Sequence, residues 1–258
     1  LTLLSTATRR PIDIVEISCP GARDAMFNMD DSKIFTTCQQ EPKGMAVIDV
    51  EARKEIKMVP IKGGRAGGMD PQGKYFMVSA SKSVHFFDSQ TAELVKTIKV
   101  PGGGGNFTCL KDGSKCYVGL RKANAVGVID MAKLELMKTI ETGPDANRLY
   151  LNPGNSRYGL FANEAGKSDI VSIIDTQLDV KVKDIWTGLG PHNVAFDPDG
   201  KFAVISTKKE NVATLVDTGS ADPNDWDVIT TDLDSGIQNN GVRWVPSPAA
   251  LKKALAQN

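Results

Sequence analysis

Residues 193–207 read NVAFDPDGKFAVIST, and the next apolar stretches are VATLVD (212–217) and DVITTDL (227–233). Pro198 presets φ at the second position of a turn and Gly200 supplies φ > 0 at its end, so NVAFD and KFAVIST form the arms of a tight antiparallel hairpin. VATLVD and DVITTDL follow as a third and a fourth strand, each short, rich in Val, Ile and Thr, and bounded by turn residues. A helical reading fails because the apolar runs are too short and too often broken by Gly and Pro.

The same series recurs along the chain. One signature is an apolar stretch closing on an acid: MAVIDV at Asp49, VHFFDS at Asp88, VGVIDM at Asp130, VSIIDT at Asp175 and ATLVDT at Asp217, with PIDIVEIS a weaker copy at Glu16. Successive acids from Asp49 are 39, 42, 45 and 42 residues apart. A second signature is a turn, a basic residue and an apolar run: MDDSKIF from Met29, MDPQGKYF from Met69, LKDGSKCYV from Leu110, LNPGNSRYGLF from Leu151 and FDPDGKFAV from Phe196. EIKMVPI, LVKTIKV, LMKTIET and VKVKDIW supply the fourth strands. The two signatures march together, and the acids that recur in every copy read as turn-formers rather than catalytic groups.

A four-stranded unit of this period is the blade of a β-propeller. The fold expected is therefore all-β, a propeller of four-stranded antiparallel blades, six in number or seven. GVRWVP (241–246) matches a first strand with no second or third after it, while LTLLSTA and PIDIVEIS look like a second and a third strand with no first. A composite blade from both termini would close the ring and remove two exposed edges. Residues 1–246 then make a single propeller domain and 247–258 a tail with room for a short helix. Leu1 in place of Met, with no signal-like segment after it, reads as a processed or trimmed start.

Composition excludes several classes. The 258 residues carry 31 basic and 31 acidic side chains, and a neutral chain lacks the basic surplus of a duplex-coating protein, so no nucleic acid is expected. No apolar run approaches the roughly 18 residues of a membrane-spanning helix, so no transmembrane segment is expected. Gly-x-Ser-x-Gly is absent, as are C-x-x-C-H and a Cys/His spacing suited to zinc. The residues name no catalytic constellation and no metal ligands.

The Gly or Gly-Pro lead-in, the Asn/Val/Ala/Phe strand, the D-P-D-G-K turn and the V-x-x-x-D strand resemble the YVTN-type β-propeller repeat, over roughly residues 14 to 246. Lactonase-like and cytochrome d1-like propellers are related. The resemblance implies an extracytoplasmic protein, periplasmic or extracellular. It implies an architecture more than an activity, because one superfold hosts many unrelated functions.

Binding residues are expected where fourth strands hand over to the next first strands, since those connections converge on the mouth of a propeller's channel. Arg65, Asn106, Asn147, Arg148, His192, Asn193 and Asn240 stand there, with Arg23, Asp24 and Asn239 beside them. Arginines would supply forked donors to a carboxylate or other anion and asparagines would fix its orientation. The reading is a noncatalytic binding module or a subunit of a larger complex, a redox one included, that meets another protein subunit or a small anionic ligand at the mouth, with no cofactor of its own. Two alternatives stand beside it. A lactonase-like, metal-dependent hydrolase would hold calcium through Asn106, Asn147, Asn193 and Asn240 with Asp24 or Asp145. A haem d1-like protein would hold a noncovalent tetrapyrrole through His192. His85, on a third strand, reads as structural. The run Gly102–Gly105 reads as a flexible connection between blades, since a strand rather than a helix follows it.

Four cysteines, Cys19, Cys38, Cys109 and Cys116, allow three pairings. Cys109 and Cys116 flank the Asp112-Gly113 turn. A two-residue loop would set them opposite one another, and a three-residue loop, as read for the D-P-D-G copies, would turn them apart. Cys19 with Cys38 is the other candidate pair.

Overall fold

A computed structural model describes residues 1–164, 166, 168–234 and 242. They are all-β: antiparallel sheets in chain order, with only two short 3₁₀ turns, at Arg121–Ala123 and Pro223–Asp225. Among the described residues, strands β1 (Thr2–Leu4) and β2 (Pro11–Ile14) form a two-stranded sheet. β3 (Ala22–Phe27), β4 (Lys33–Cys38), β5 (Gly44–Asp49) and β6 (Lys54–Pro60) form a four-stranded meander. So do β7 (Ala66–Met69), β8 (Tyr75–Ser79), β9 (Ser83–Asp88) and β10 (Leu94–Lys99), then β11 (Phe107–Cys109), β12 (Lys115–Leu120), β13 (Ala125–Asp130) and β14 (Glu135–Glu141). The fourth meander is β15 (Ala146–Leu151), β16 (Tyr158–Asn163), β17 (Ile170–Asp175) and β18 (Val180–Trp186). The fifth is β19 (Pro191–Phe196), β20 (Phe202–Thr207), β21 (Val212–Asp217) and β22 (Asp227–Asp234). The strand expected at 241–246 and the helix expected within 247–258 lie outside the described residues.

The chain divides into two compact units, 1–149 and 150–258. In the first, Phe35, Met45 and Val47 pack with Phe76 and Val78 of the next sheet, and Phe35 stacks on Phe76 at 5.1 Å between centroids. Met77, Val84 and Phe86 pack in turn with Cys116, Val118 and Ile129. In the second unit, Leu160, Val171 and Ile173 meet Val194, Ile205 and Val216, and Trp226 closes the cluster edge-on to Tyr158.

Both repeated signatures have a physical basis. At the third-to-fourth turns the acid's Oδ1 accepts backbone N–H groups two or three residues on: Ala52 at Asp49 (2.7 Å), Gln90 and Thr91 at Asp88 (2.9 and 2.8 Å), Ala132 and Lys133 at Asp130 (2.9 and 3.0 Å). Asp175 does the same for Gln177 and Leu178, and Asp217 for Gly219. At the first-to-second turns Gly73, Gly113 and Gly200 sit at φ of 64°, 72° and 70° and donate to the carbonyl three residues back.

Those turns correct one expectation. Leu110 N–H donates to Lys115 O, and Asp197 N–H to Phe202 O, so each hairpin loop holds an even number of residues, 111–114 and 198–201. Even parity sets Cys109 directly across from Cys116, and the two form a disulfide, as do Cys19 and Cys38.

The glycine run is the second correction. Gly102 to Gly105 are all buried, and the N–H groups of Gly103, Gly104 and Gly105 donate to Ser81 O, Ser79 Oγ and Gly119 O. The connection is pinned rather than flexible, and none of those three N–H groups is left for an anion. Gly119 itself faces the backbone of 146–147: a Cβ there would stand 2.3 Å from Asn147 O and 2.6 Å from Ala146 O.

Three outcomes follow for stability. By the chain-entropy model, replacing Cys19 and Cys38 with Ser should cost about 3 kcal/mol in urea unfolding, and replacing Cys109 and Cys116 about 2 kcal/mol, the larger loop losing more. The unmodified, denatured chain should show no titratable thiol. Gly119→Ala, forced against backbone oxygens, should cost about 2–3 kcal/mol, whereas Gly104→Ala meets only Arg65 Cδ at 3.6 Å and carries a φ penalty alone. His85, half-buried between Ser83 Oγ (2.9 Å) and Thr97 Oγ1 (3.1 Å), has its pKa lowered by burial. The folded state therefore holds it neutral while the unfolded chain binds a proton below about pH 6.5. Stability should be intact above that pH and fall as the solution is acidified, and His85→Gln should flatten the fall.

Candidate functional site

In an antiparallel meander, the second-to-third hairpin and the connection leaving the fourth strand lie at the same end of the sheet. The acidic turns and the Gly turns lie at the other. This parity assembles the candidate residues, and it adds a group that position before the first strands does not reveal.

In the first unit, Asn106 and Asn147 bond twice. Asn106 N–H donates to Asn147 O at 2.9 Å, and Asn106 Nδ2 to Asn147 Oδ1 at 3.0 Å, with both residues buried. The two bonds join adjacent first strands. Arg65 gives its N–H to Ser79 O and receives Gln39 Nε2 on its carbonyl at 3.1 Å. Arg148 is exposed, lies within β15 rather than before it, and lines a cavity of about 280 Å³. Asp24 lines the same cavity from β3, where the register shifts and Asp24 takes a φ of 54°. Its Oδ2 accepts Gly67 N–H at 3.2 Å and Thr37 Oγ1 at 3.4 Å, and Arg23 Nε stands 3.4 Å from Oδ1. Arg121, from a second-to-third hairpin, pairs with Asp145.

In the second unit, His192 and Asn193 lie within β19. His192 Nε2 stands 3.4 Å from Glu164 Oε1, and Lys208 donates to that same oxygen. Glu164 follows β16 and Lys208 follows β20, so this cluster too is built from second-to-third hairpins. Only 10 % of the Glu164 side chain is exposed, and a carboxylate so enclosed needs its cationic partner. Tyr150 donates its hydroxyl to Asn193 Oδ1, with His192 O 3.3 Å away.

The structure thus places Asn106, Asn147, Arg148 and Arg65 in one unit and His192 and Asn193 in the other, while Asn240 lies outside the described residues. Asp24, Arg121, Glu164 and Lys208 complete the charged sets. The last three were legible in LRKANA, ANEAGK and STKKEN, three polar stretches after second strands, had strand parity been followed. Among the described residues no group of three or more His, Cys, Asp or Glu could hold a metal ion. Of the oxygens suggested for calcium, Asn147 Oδ1 accepts from Asn106, Asn193 Oδ1 from Tyr150, Asp24 Oδ2 from Gly67 and Thr37, and Asp145 pairs with Arg121, while His192 Nε2 faces Glu164.

No protein-family model matches the chain, and no curated protein does. Solved structures do match. A hydrazine synthase chain of Kuenenia stuttgartiensis aligns over 66 % of this chain at 24 % identity with a TM-score of 0.55, and the alignment spans only 51 % of the synthase chain. A functionally unknown protein of Desulfotomaculum acetoxidans aligns over 89 % of this chain and 75 % of its own, at 14 % identity and a TM-score of 0.67. A proposed 6-phosphogluconolactonase of Bacteroides fragilis aligns over 92 % and 78 %, at 17 % identity and a TM-score of 0.70. At such identities the likeness is one of fold, and it agrees with the repeated four-stranded sheets: the chain has a β-propeller fold.

Proposed function

We propose that the chain is a binding module, a β-propeller subunit of a larger complex in a periplasmic or extracellular compartment, which receives a small anionic ligand or an anionic group of a partner protein. The observation that carries this reading is the cavity of the first unit, which Arg148 lines together with Asn106, itself bonded to Asn147. A guanidinium offers forked donors to a carboxylate or phosphate, and the buried amide pair holds the strand that carries it. Two disulfides support an oxidising compartment. The likeness to half of a hydrazine synthase chain supports a place in a larger assembly, a redox one included.

A second reading, a hydrolase of a small molecule, draws on the likeness to the proposed 6-phosphogluconolactonase. In this chain the imidazole of His192 beside Glu164 is the group that would move a proton. The binding reading rests on a formed cavity and the hydrolytic one on a fold likeness, so the first is preferred.

Calorimetric titration with phosphate, succinate and acetate tests it. At least one should bind saturably, and Arg148→Ala should weaken that binding tenfold or more, about 1.4 kcal/mol. Equal affinity in the folded variant would move the contact elsewhere.

A further inference from the structure

We propose that the Cys109–Cys116 bridge is a thiol-exchange site: a small thiol of the cysteine class enters the first unit's cavity and bonds to Cys109, while Cys19–Cys38 stays closed. The inference uses the cavity as a way in and does not depend on an anion binding there.

The two bridges differ in what can reach them. Cys19 is 3 % exposed and Cys38 fully buried, inside one apolar cluster with Val15, Ile34 and Ile48. Cys116 is as deeply buried, among Met77, Val118 and Ile129. Of the four, Cys109 is the one partly exposed, and it lines the cavity of about 280 Å³ with Phe107 and Thr108, its companions in β11. Exchange requires a thiolate to reach a disulfide sulfur, so access decides which bridge reacts and at which sulfur.

They differ also in what they hold. Cys109 and Cys116 face each other across β11 and β12, whose backbones are joined on both sides of the pair: Leu110 N–H donates to Lys115 O at 2.9 Å, and Gly119 N–H to Asn106 O at 3.2 Å. Thr108 Oγ1 ties β11 to Leu149 O at 2.6 Å without help from the bridge. Its cysteines are 7 residues apart against 19 for the other pair, so opening it frees less chain entropy. The hairpin can therefore keep its place when the bridge opens. Cys19, by contrast, lies in no strand, and its bond fastens the segment between β2 and β3 to β4.

In the step, the incoming thiolate attacks Cys109 Sγ, the S–S bond breaks, and Cys116 leaves as a thiolate that takes up a proton. One disulfide replaces another, with no net oxidation. Apolar surroundings disfavour a thiolate, so Cys116 rests as an enclosed thiol. When the small thiol is withdrawn, Cys116 loses its proton, attacks Cys109 and expels the adduct.

Treating the folded full chain with L-cysteine at neutral pH, quenching with acid and mapping the peptides by mass spectrometry tests this. Cysteine should appear on Cys109, with Cys116 free, at least tenfold faster than Cys19–Cys38 opens. The rate should not change with urea below the unfolding transition. Cys116→Ser, which leaves Cys109 as a thiol, should take one cysteine from L-cystine and release the other; if that variant does not fold, the urea series on the unaltered chain decides. Equal rates for the two bridges, a rate that climbs with urea, or an adduct on Cys116 would overturn the proposal. Exchange at Cys109 without binding of phosphate, succinate or acetate would uphold it while the anion reading falls, and the reverse result would do the opposite.

Discussion

Most residues of the middle strands are buried, on both faces of the sheets, and the rest of the structure depends on that constraint. Every residue of β5 and β13 before the closing Asp is buried, and β16 is buried throughout. A sheet with such strands cannot keep one face in water; it needs a neighbour on each side. The clusters joining Phe35 to Phe76, Met77 to Val118 and Leu160 to Ile205 are the neighbours it finds within each unit. Fourth strands escape the constraint. β6, β10 and β14 alternate toward solvent and carry lysines along the edge, which discourages further pairing.

Stacked this closely, first strands cannot all carry side chains. Gly105 and Gly119 let the backbone of 146–147 come within contact, and the reward is the double bond between Asn106 and Asn147. The same closeness fixes Arg148, one residue further on. Rigidity of the scaffold and positioning of the candidate ligand group are therefore one packing solution.

The two ends of the sheets do different work. One end is closed by Asp side chains capping their own turns, each satisfied locally and repeated from sheet to sheet. Asp175 adds Arg157, whose Nε and terminal nitrogen both reach Oδ2. Burial would raise its pKa, but these bonds outweigh it and hold the carboxyl below the usual value. At the other end the charges differ from sheet to sheet: Asp24 and Arg23, Arg121 and Asp145, Glu164 with Lys208 and His192. A scaffold repeats its solutions, whereas a binding surface varies them.

The sequence by itself determined the blade. Asp every forty-odd residues, a tight turn before each basic residue and short β-branched runs are local signals, set by backbone conformations that few residues accept. It also placed Arg65, Asn106, Asn147, Arg148, His192 and Asn193 at first-strand ends. What it could not show was which of them face a ligand and which face each other. Asn106 and Asn147 read alike in the sequence, yet across forty-one residues Asn106 donates its amide to the Asn147 side-chain oxygen. Asp24 looked like a neighbour of Arg23, and only the packing of β3 against β7 put its carboxylate in the cavity that Arg148 lines. Glycines that read as slack proved to be the tightest contacts, because absence of a side chain signals freedom in a lone strand and closeness in a packed one. Such pairings depend on distances between strands far apart in sequence, and those distances exist only once the sheets are stacked.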